Sequence, residues 1–157
     1  MKRVVVTGMG IVSPIGNNIA EVTDSLRAGR SGIVFNEEYA ERGFRSHVCG
    51  APQIDMDDMI DRKLRRFMGD GSAYNYVAMQ EAIADAGLSD TEVSSERTGL
   101  VMGSGGPSTS ALVNAADTAR DKSAKRAGFR EHLDQPIMRV GGDDVQIVVG
   151  QLQIGPG

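Results

Sequence analysis

The sequence predicts an α/β fold with a largely buried sheet. Residues 3–7 and 98–102 are short apolar runs bounded by polar residues or glycine, the pattern of strands buried on both faces. Two helix-like segments lie between these runs, and a third follows the second run. The order strand, helix, helix, strand, helix is typical of α/β folds with a largely buried sheet.

The first helix is predicted to begin after Asn17 or Asn18 and to end at about Ala28. Asparagine side chains cap helix N-termini, and Gly29 can adopt the left-handed conformation that ends a helix. The predicted buried face consists of three apolar residues at helical spacing: Ile19, Val22 and Leu26.

Local sequence predicts several further elements. Glycine and proline in residues 8–10 and 13–17 indicate tight loops. The remaining predictions are a short strand at 47–50, an acidic turn or helix start at 55–58, an alanine-rich helix at 69–86 that ends at Gly87, a helix that opens at 107–110 and reaches about Arg120, and one or two strands within 145–154.

Composition argues against several classes of protein. The 157 residues are 40% hydrophobic and 24% charged, as in ordinary globular domains, and a net charge of −4 does not favour nucleic-acid binding. No apolar run reaches the roughly 18 residues that span a bilayer. The apolar stretch near the N-terminus ends at Gly8, which favours a buried first strand over a signal peptide. The single cysteine, Cys49, cannot form an intramolecular disulfide, so the reducing cytoplasm is the expected location.

Two glycine-rich segments could bind phosphate groups, but neither has the spacing required. Gly8 and Gly10 follow a predicted strand, yet Ser13 occupies the position of the third glycine of a dinucleotide-binding fingerprint. Residues 103–106 are not followed by Lys-Ser/Thr and lack the spacing of a nucleophile elbow. The first segment is therefore interpreted as a tight turn. The second is interpreted as backbone that approaches another chain or an apolar substrate tail closely.

Four cations, Arg62, Lys63, Arg65 and Arg66, lie within five positions of a net-acidic chain. One interpretation is a solvated helix face, and the other is a docking surface for an acidic partner, which would weaken with salt. Helical spacing allows positions 62, 63 and 66 to share a face and turns Arg65 aside. Three further cations that could extend this surface are Lys122, Lys125 and Arg126.

Cys49 and His47 suggest a thiol–imidazole pair, because both would lie on the same face of a strand. No third residue that would orient the imidazole is evident, so the sequence favours a buried, inert cysteine. One cysteine and two scattered histidines also lack the spacing of a metal site.

An ordered set of segments resembles the opening of the β-ketoacyl-[acyl-carrier-protein] synthases, and in two places the type I subgroup in particular. The segments are residues 3–17, 26–33, 45–48, 60–68, 81–88 and 99–106, with 45–48 and 60–68 most similar to type I. In order and spacing they cover roughly residues 1–128. Each segment alone is modest evidence, whereas the ordered set is specific.

The resemblance implies a thiolase-like layered fold of two similar α/β halves, of which this chain would hold an incomplete N-terminal half. It also implies a homodimer, acyl carrier protein as partner, and decarboxylative Claisen condensation in fatty-acid synthesis. In that chemistry a cysteine holds the acyl chain as a thioester, and two histidines assist decarboxylation of the malonyl-carrier protein. The resulting carbanion then attacks the thioester. The resemblance implies no metal or organic cofactor, and no nucleic-acid or membrane partner.

Site residues are carried over only where the motifs match. Arg62, Lys63 and Arg66 match cations that hold acyl carrier protein, and Arg126 matches a further one in a looser context. Gly105 and Gly106 match a loop beside the acyl pocket. Cys49 does not match the nucleophile of the family, and His132 does not match either histidine. The resemblance therefore assigns no catalytic residue and no metal ligand to this chain.

The resemblance ends near residue 128. Residues 129–136 do not match the family, and nothing up to Gly157 resembles its cysteine-containing elbow. The expected division is a synthase-like part at 1–128 and an unmatched tail at 129–157 that arises from a frameshift, a truncation or a fusion. The chain is expected to be inactive alone. The alternatives are a non-catalytic fragment that binds carrier protein or associates into dimers, and an unstable product of a defective gene.

Overall fold

The computed structural model describes residues 5–66, 68–103 and 108–126, together with the backbone of residues 145–148. The helices within these ranges are α1 Ile19–Ala28, α2 Glu37–Glu41, α3 Met56–Met59, α4 Arg62–Arg65, α5 Asp70–Ala86, α6 Asp90–Val93 and α7 Thr109–Asp121, followed by a 3-10 helix at Ala124–Arg126. The strands are β1 Ile33–Phe35, β2 Val48–Gly50, β3 Thr98–Val101 and β4 Val145–Val148. None of the described helices is long and apolar enough to cross a bilayer.

The described strands form two small sheets. β1 pairs with β2 antiparallel, with Ile33 opposite Gly50. β3 pairs with β4 in parallel, with Thr98 opposite Val145. The strands predicted near residues 47–50 and 98–102 are confirmed, as is strand structure at 145–148, whereas residues 149–154 lie outside the described residues. The sequence interpretation did not anticipate β1 or α2.

The prediction of a buried first strand is wrong for the part of it that the structure describes. Residues 5–7 are not in a strand, and Val5 and Val6 are 68% and 80% exposed. None of the four strands given above pairs with this segment. Its backbone therefore forms no hydrogen bonds with these strands, and they do not cover its side chains. The predicted largely buried sheet is also wrong, because every residue of β1 is exposed and Val101 of β3 is 56% exposed.

Helix α1 begins and ends where its capping residues predict. The Asn18 side chain accepts a hydrogen bond from the Glu21 backbone N–H at 2.9 Å, and Gly29 ends the helix with φ of 63°. Its buried face differs from the prediction, since Leu26 is 67% exposed and Ser25 is buried. The Ser25 hydroxyl donates to the Ile15 carbonyl at 2.6 Å, which turns that face of the helix towards the preceding loop.

Helix α5 is the helix predicted at residues 69–86, and it carries much of the hydrophobic core. Gly69 is its N-cap, and Gly87 ends it with φ of 67°. Ala73 and Val77 of α5 pack with Met56 and Ile60 to form a buried cluster. The surrounding half-buried residues are Val12, Ile54, Met68, Tyr74 and Tyr76. The cluster joins α5 with α3 and with Ile60, the C-cap of α3.

The segment around Gly8 and Gly10 lies directly against α5. A Cβ atom at Gly10 would overlap the Ala78 carbonyl oxygen, and one at Gly8 would overlap that of Ala82. The two glycines therefore allow two backbones to approach closely. The tight turn predicted at residues 8–10 is wrong, because the structure shows no turn there. The one predicted at residues 13–17 is confirmed, since Ser13 and Gly16 exchange backbone hydrogen bonds of 2.9 and 3.2 Å.

Two carboxylates of α5 hold this segment and the start of α1. The Met9 N–H donates to Asp85 Oδ2 at 2.9 Å, and the Ile11 N–H donates to Glu81 Oε2 at 2.9 Å. The other oxygen of Glu81 accepts from the N–H of Ile19, the first residue of α1, at 2.8 Å. A carboxylate is stabilised at this position because the N-terminus of a helix carries partial positive charge.

Candidate functional site

Helix α4 presents three cations on the surface. The side chain of its N-cap, Asp61, accepts a hydrogen bond from the Lys63 N–H at 2.8 Å, and Arg66 is the C-cap. Arg62, Lys63 and Arg66 are exposed, and we refer to them as the cationic surface. Arg65 is turned aside, as helical spacing predicts, with its side chain 23% exposed.

The guanidinium of Arg65 connects α4 with the start of α5. Its Nη1 donates to the Met68 carbonyl oxygen at 2.6 Å, and its Nη2 donates to Asp70 Oδ1 at 2.8 Å. Its Nε lies 3.8 Å from Asp57 Oδ1 of α3, which is an ion pair but too long for a hydrogen bond. Sequence reasoning did not identify the two aspartates as partners, although Asp70 at the start of a predicted helix near an inward arginine was a usable signal.

An open cleft of about 380 Å³ lies beside this arginine. Its lining consists of Ile54, Asp55, Met56, Asp57, Arg65, Asp70 and Tyr74. Burial raises the pKa of the Tyr74 hydroxyl, the Asp70 carboxylate raises it further, and the Arg65 guanidinium opposes both. Asp55 caps α3, while Asp57 and Asp70 face Arg65. The carboxylates of the cleft thus bind groups of the chain itself. An anionic partner would instead be attracted to the cationic surface.

The second basic group lies on a separate element. Lys122 is the C-cap of α7, and Lys125 and Arg126 lie in the 3-10 helix that packs against α7. All three side chains are exposed. The Arg126 N–H donates to the Ser123 carbonyl oxygen at 2.9 Å, which fixes the backbone of this turn. Within the described part of the chain, no hydrogen bond joins Arg126 to α4.

Cys49 and His47 do not form a thiol–imidazole pair. The Cys49 thiol accepts a hydrogen bond from Asn36 Nδ2 at 3.4 Å, and the His47 ring lies edge-on to Phe35 at a centroid distance of 6.1 Å. The cysteine is half-buried rather than buried as predicted, because β2 belongs to a two-stranded sheet with an exposed surface. Among the described residues, no three histidine, cysteine or acidic side chains are grouped as metal ligands.

The predicted acyl-pocket glycines, Gly105 and Gly106, lie outside the described residues, as does most of the tail at 129–157. The described part of the predicted site therefore consists of the cationic surface on α4 and Arg126 on the 3-10 helix.

The fold and the sequence together define the family. Residues 1–135 match the family model of the β-ketoacyl synthase N-terminal domain. The chain therefore belongs to the β-ketoacyl synthase family, as the ordered sequence segments indicated.

Relatives of this chain include proteins named 3-oxoacyl-[acyl-carrier-protein] synthase 1. The chain is 51% identical to that of Escherichia coli strain K12 over 128 residues, which are 81% of this chain and 32% of the relative. It is 49% identical to that of Haemophilus influenzae strain Rd over 127 residues, which are 81% of this chain and 31% of the relative. The chain thus spans about a third of the length of these relatives.

Solved structures confirm the fold. A β-ketoacyl synthase from Burkholderia phymatum STM815 superimposes with a TM-score of 0.69 at 29% identity, over 85% of this chain and 34% of the other. A ketosynthase structure described as a type II PKS acyl-carrier protein in complex with its ketosynthase gives a TM-score of 0.60 at 21% identity, over 83% and 34%. The fold is therefore α/β and thiolase-like, and this chain contains only part of it.

Proposed function

We propose that this chain is the N-terminal part of a fatty-acid condensing enzyme and that its own task is to dock acyl carrier protein. The observation that carries the proposal is the cationic surface, where α4 presents Arg62, Lys63 and Arg66 to solvent on a chain whose net charge is −4. The names of the relatives support the partner, since their substrates are carried by acyl carrier protein.

Docking on this surface is an electrostatic step. Exposed cations that face an acidic partner raise the association rate and fix the register of the complex, and salt screens both effects. Arg126 is proposed to add a further contact from the 3-10 helix. The docked carrier would deliver its thioester for decarboxylative Claisen condensation, next to a loop that we propose contains Gly105 and Gly106.

A polypeptide of these 157 residues is expected to be inactive in condensation when assayed by itself. The reaction requires a thiolate that accepts the acyl chain, and the single cysteine of the sequence, Cys49, is held by an asparagine amide rather than beside a base. Incubation of the purified chain with acyl- and malonyl-carrier proteins should give no β-ketoacyl product by mass spectrometry. Product formation, or an acyl group on Cys49, would contradict this expectation.

Charge reversal provides the test of docking. Replacing Arg62, Lys63 and Arg66 by glutamate should weaken binding of acyl carrier protein by at least about 100-fold, since each lost contact contributes on the order of 1 kcal/mol and the new charges repel. The measurement is the Kd by fluorescence anisotropy of a labelled carrier. Wild-type affinity should also fall steadily as salt rises.

A second triple variant controls for net charge. Arg27, Arg42 and Arg120 are exposed, and within the described part of the chain their ion pairs are with acidic residues three or four positions away. Their replacement by glutamate changes the net charge by the same amount and should alter the Kd much less. Equal weakening by both variants would show that binding follows net charge, and the docking proposal would then be abandoned.

A dimer-associating fragment is the second candidate function. Helix α7 has thirteen residues and none is buried, and its Leu112 and Val113 are 45% and 53% exposed. Val101 of strand β3, which precedes α7 in the chain, is 56% exposed. Large exposed apolar side chains favour association. Sedimentation over a range of concentrations separates this candidate from a monomeric docking module.

Other parts of the proposal rest on sequence alone. We propose that residues 1–128 form the synthase-like part and that residues 129–157 are a tail of different origin, of which residues 129–135 still fall within the family match. We also propose that the protein works in the cytoplasm, where a single free cysteine remains reduced.

A further inference from the structure

We propose that Arg65, together with Asp70, is a positioning element that fixes the orientation of α4 and thereby aligns the cationic surface with its partner. The inference rests on the proposed docking function, which it deepens. It assigns to the fourth cation of the cluster a role that differs from direct contact with the carrier.

Helix α4 cannot hold its own orientation. It has only four residues, which is too short for a helix that is stable by itself in water. It also buries no residue, and its one large apolar side chain, Leu64, is 46% exposed. The buried apolar side chain that lies nearest to α4 along the chain is that of Ile60, which is 3% exposed and precedes the helix. The C-terminal end of α4 therefore needs a polar attachment.

Arg65 supplies that attachment. Its two terminal nitrogens bind the Met68 carbonyl oxygen and the Asp70 carboxylate, so the end of α4 is joined to the first residue of α5. The Asp57 carboxylate of α3 lies 3.8 Å from its Nε. The guanidinium is well suited to this role because its nitrogens form a planar fork with fixed directions, which the ammonium group of a lysine lacks. Arg65 thereby attaches α4 to α5, and α5 is itself fixed in the core by Ala73 and Val77 of the buried cluster.

The role of Asp70 distinguishes positioning from simple electrostatics. Removal of a negative charge close to the cationic surface should strengthen binding of an acidic partner if charge alone matters. If Asp70 instead holds Arg65, and through it α4, the same removal should weaken binding. The two explanations therefore predict opposite signs for one substitution.

The experiment compares Asp70→Ala with Asp58→Ala. Asp58 is an exposed residue of α3 for which the structure gives no hydrogen bond or ion pair within the described part of the chain, so its removal changes the net charge equally and leaves Arg65 in place. The readout is the Kd of acyl carrier protein. Asp58→Ala should leave binding unchanged or slightly tighter. Asp70→Ala should weaken it about tenfold, the effect expected if a misaligned α4 loses roughly one charge contact with the carrier.

Arg65→Lys tests the arginine itself at constant charge. It should also weaken binding about tenfold, because the ammonium group cannot reproduce the fork contacts. The slope of log Kd against log salt provides a further readout. A misaligned surface engages fewer cations and should give a shallower slope, whereas a variant that is merely less folded should keep the wild-type slope. Thermal unfolding of each variant identifies any loss of fold.

The outcomes separate the two proposals. If the wild-type chain fails to bind carrier, or if reversal of the cationic surface leaves the Kd unchanged, the docking function is wrong and the role of Arg65 is wrong with it. If docking passes that test but Asp70→Ala binds as tightly as Asp58→Ala, or Arg65→Lys retains the wild-type Kd and slope, only the positioning role is overturned.

Discussion

Replacement of Gly10 by alanine should lower the free energy of unfolding by about 3 kcal/mol, at the upper end of the range for overpacked sites. The new Cβ would overlap the Ala78 carbonyl oxygen and lie 2.8 Å from the Ala82 backbone nitrogen. These are backbone atoms in the middle of α5, so no side-chain rotation relieves the overlap. The two segments must separate, which also strains the hydrogen bond from Ile11 to Glu81.

Urea unfolding followed by circular dichroism measures this effect. Gly103→Ala is the matched control, since Gly103 has no positive φ and no described atom lies within 4 Å of its built Cβ position. The control should change stability by less than about 0.5 kcal/mol. A Gly10→Ala variant as stable as this control would show that residues 8–12 do not lie against α5 in solution.

Replacement of Glu81 by alanine should lower the free energy of unfolding by about 3 kcal/mol, because two charge-assisted hydrogen bonds are lost together. Their donors are the backbone N–H groups of Ile11 and Ile19, and both residues are half-buried, so neither group regains water fully. Glu81→Gln should lose about half as much, because its amide retains one acceptor oxygen. Thermal and urea unfolding provide the measurement.

Glu21 offers a matched control for this variant. Its carboxylate also accepts a backbone hydrogen bond, from the Asn17 N–H at 2.8 Å, but the partner is only four residues away and the hydrogen bond is exposed. Glu21→Ala should therefore change stability by less than about 1 kcal/mol. If Glu81→Ala and Glu21→Ala have equal effects, the long-range connection through Glu81 contributes little to the fold.

The elements that sequence predicted well are those with local signals. Asn18, Gly29 and Gly87 each act within one turn of their helix, so their roles can be recognised without knowledge of the fold. The exposure of the cationic surface and the inward direction of Arg65 also follow from helical spacing alone.

The features that sequence did not predict depend on distant partners. The composition of residues 3–7 favours a strand, but a strand also needs a partner, and the local sequence does not identify one. Glu81 accepts hydrogen bonds from residues 70 and 62 positions earlier, which no local pattern encodes. Leu26 has helical spacing with Val22, yet the hydroxyl of Ser25 decides which face of α1 is turned inwards. Such contacts are known only once the chain is folded.

The contact between residues 8–10 and α5 also constrains how this protein can change over generations. Gly8 and Gly10 meet a row of alanines at one-turn intervals, Ala78, Ala82 and Ala86, and neither side has spare volume. A side chain at Gly8 or Gly10 would meet backbone atoms of α5, which no substitution in the helix removes. Both glycines are therefore expected to be retained among descendants, whatever changes occur in the helix more than sixty positions away.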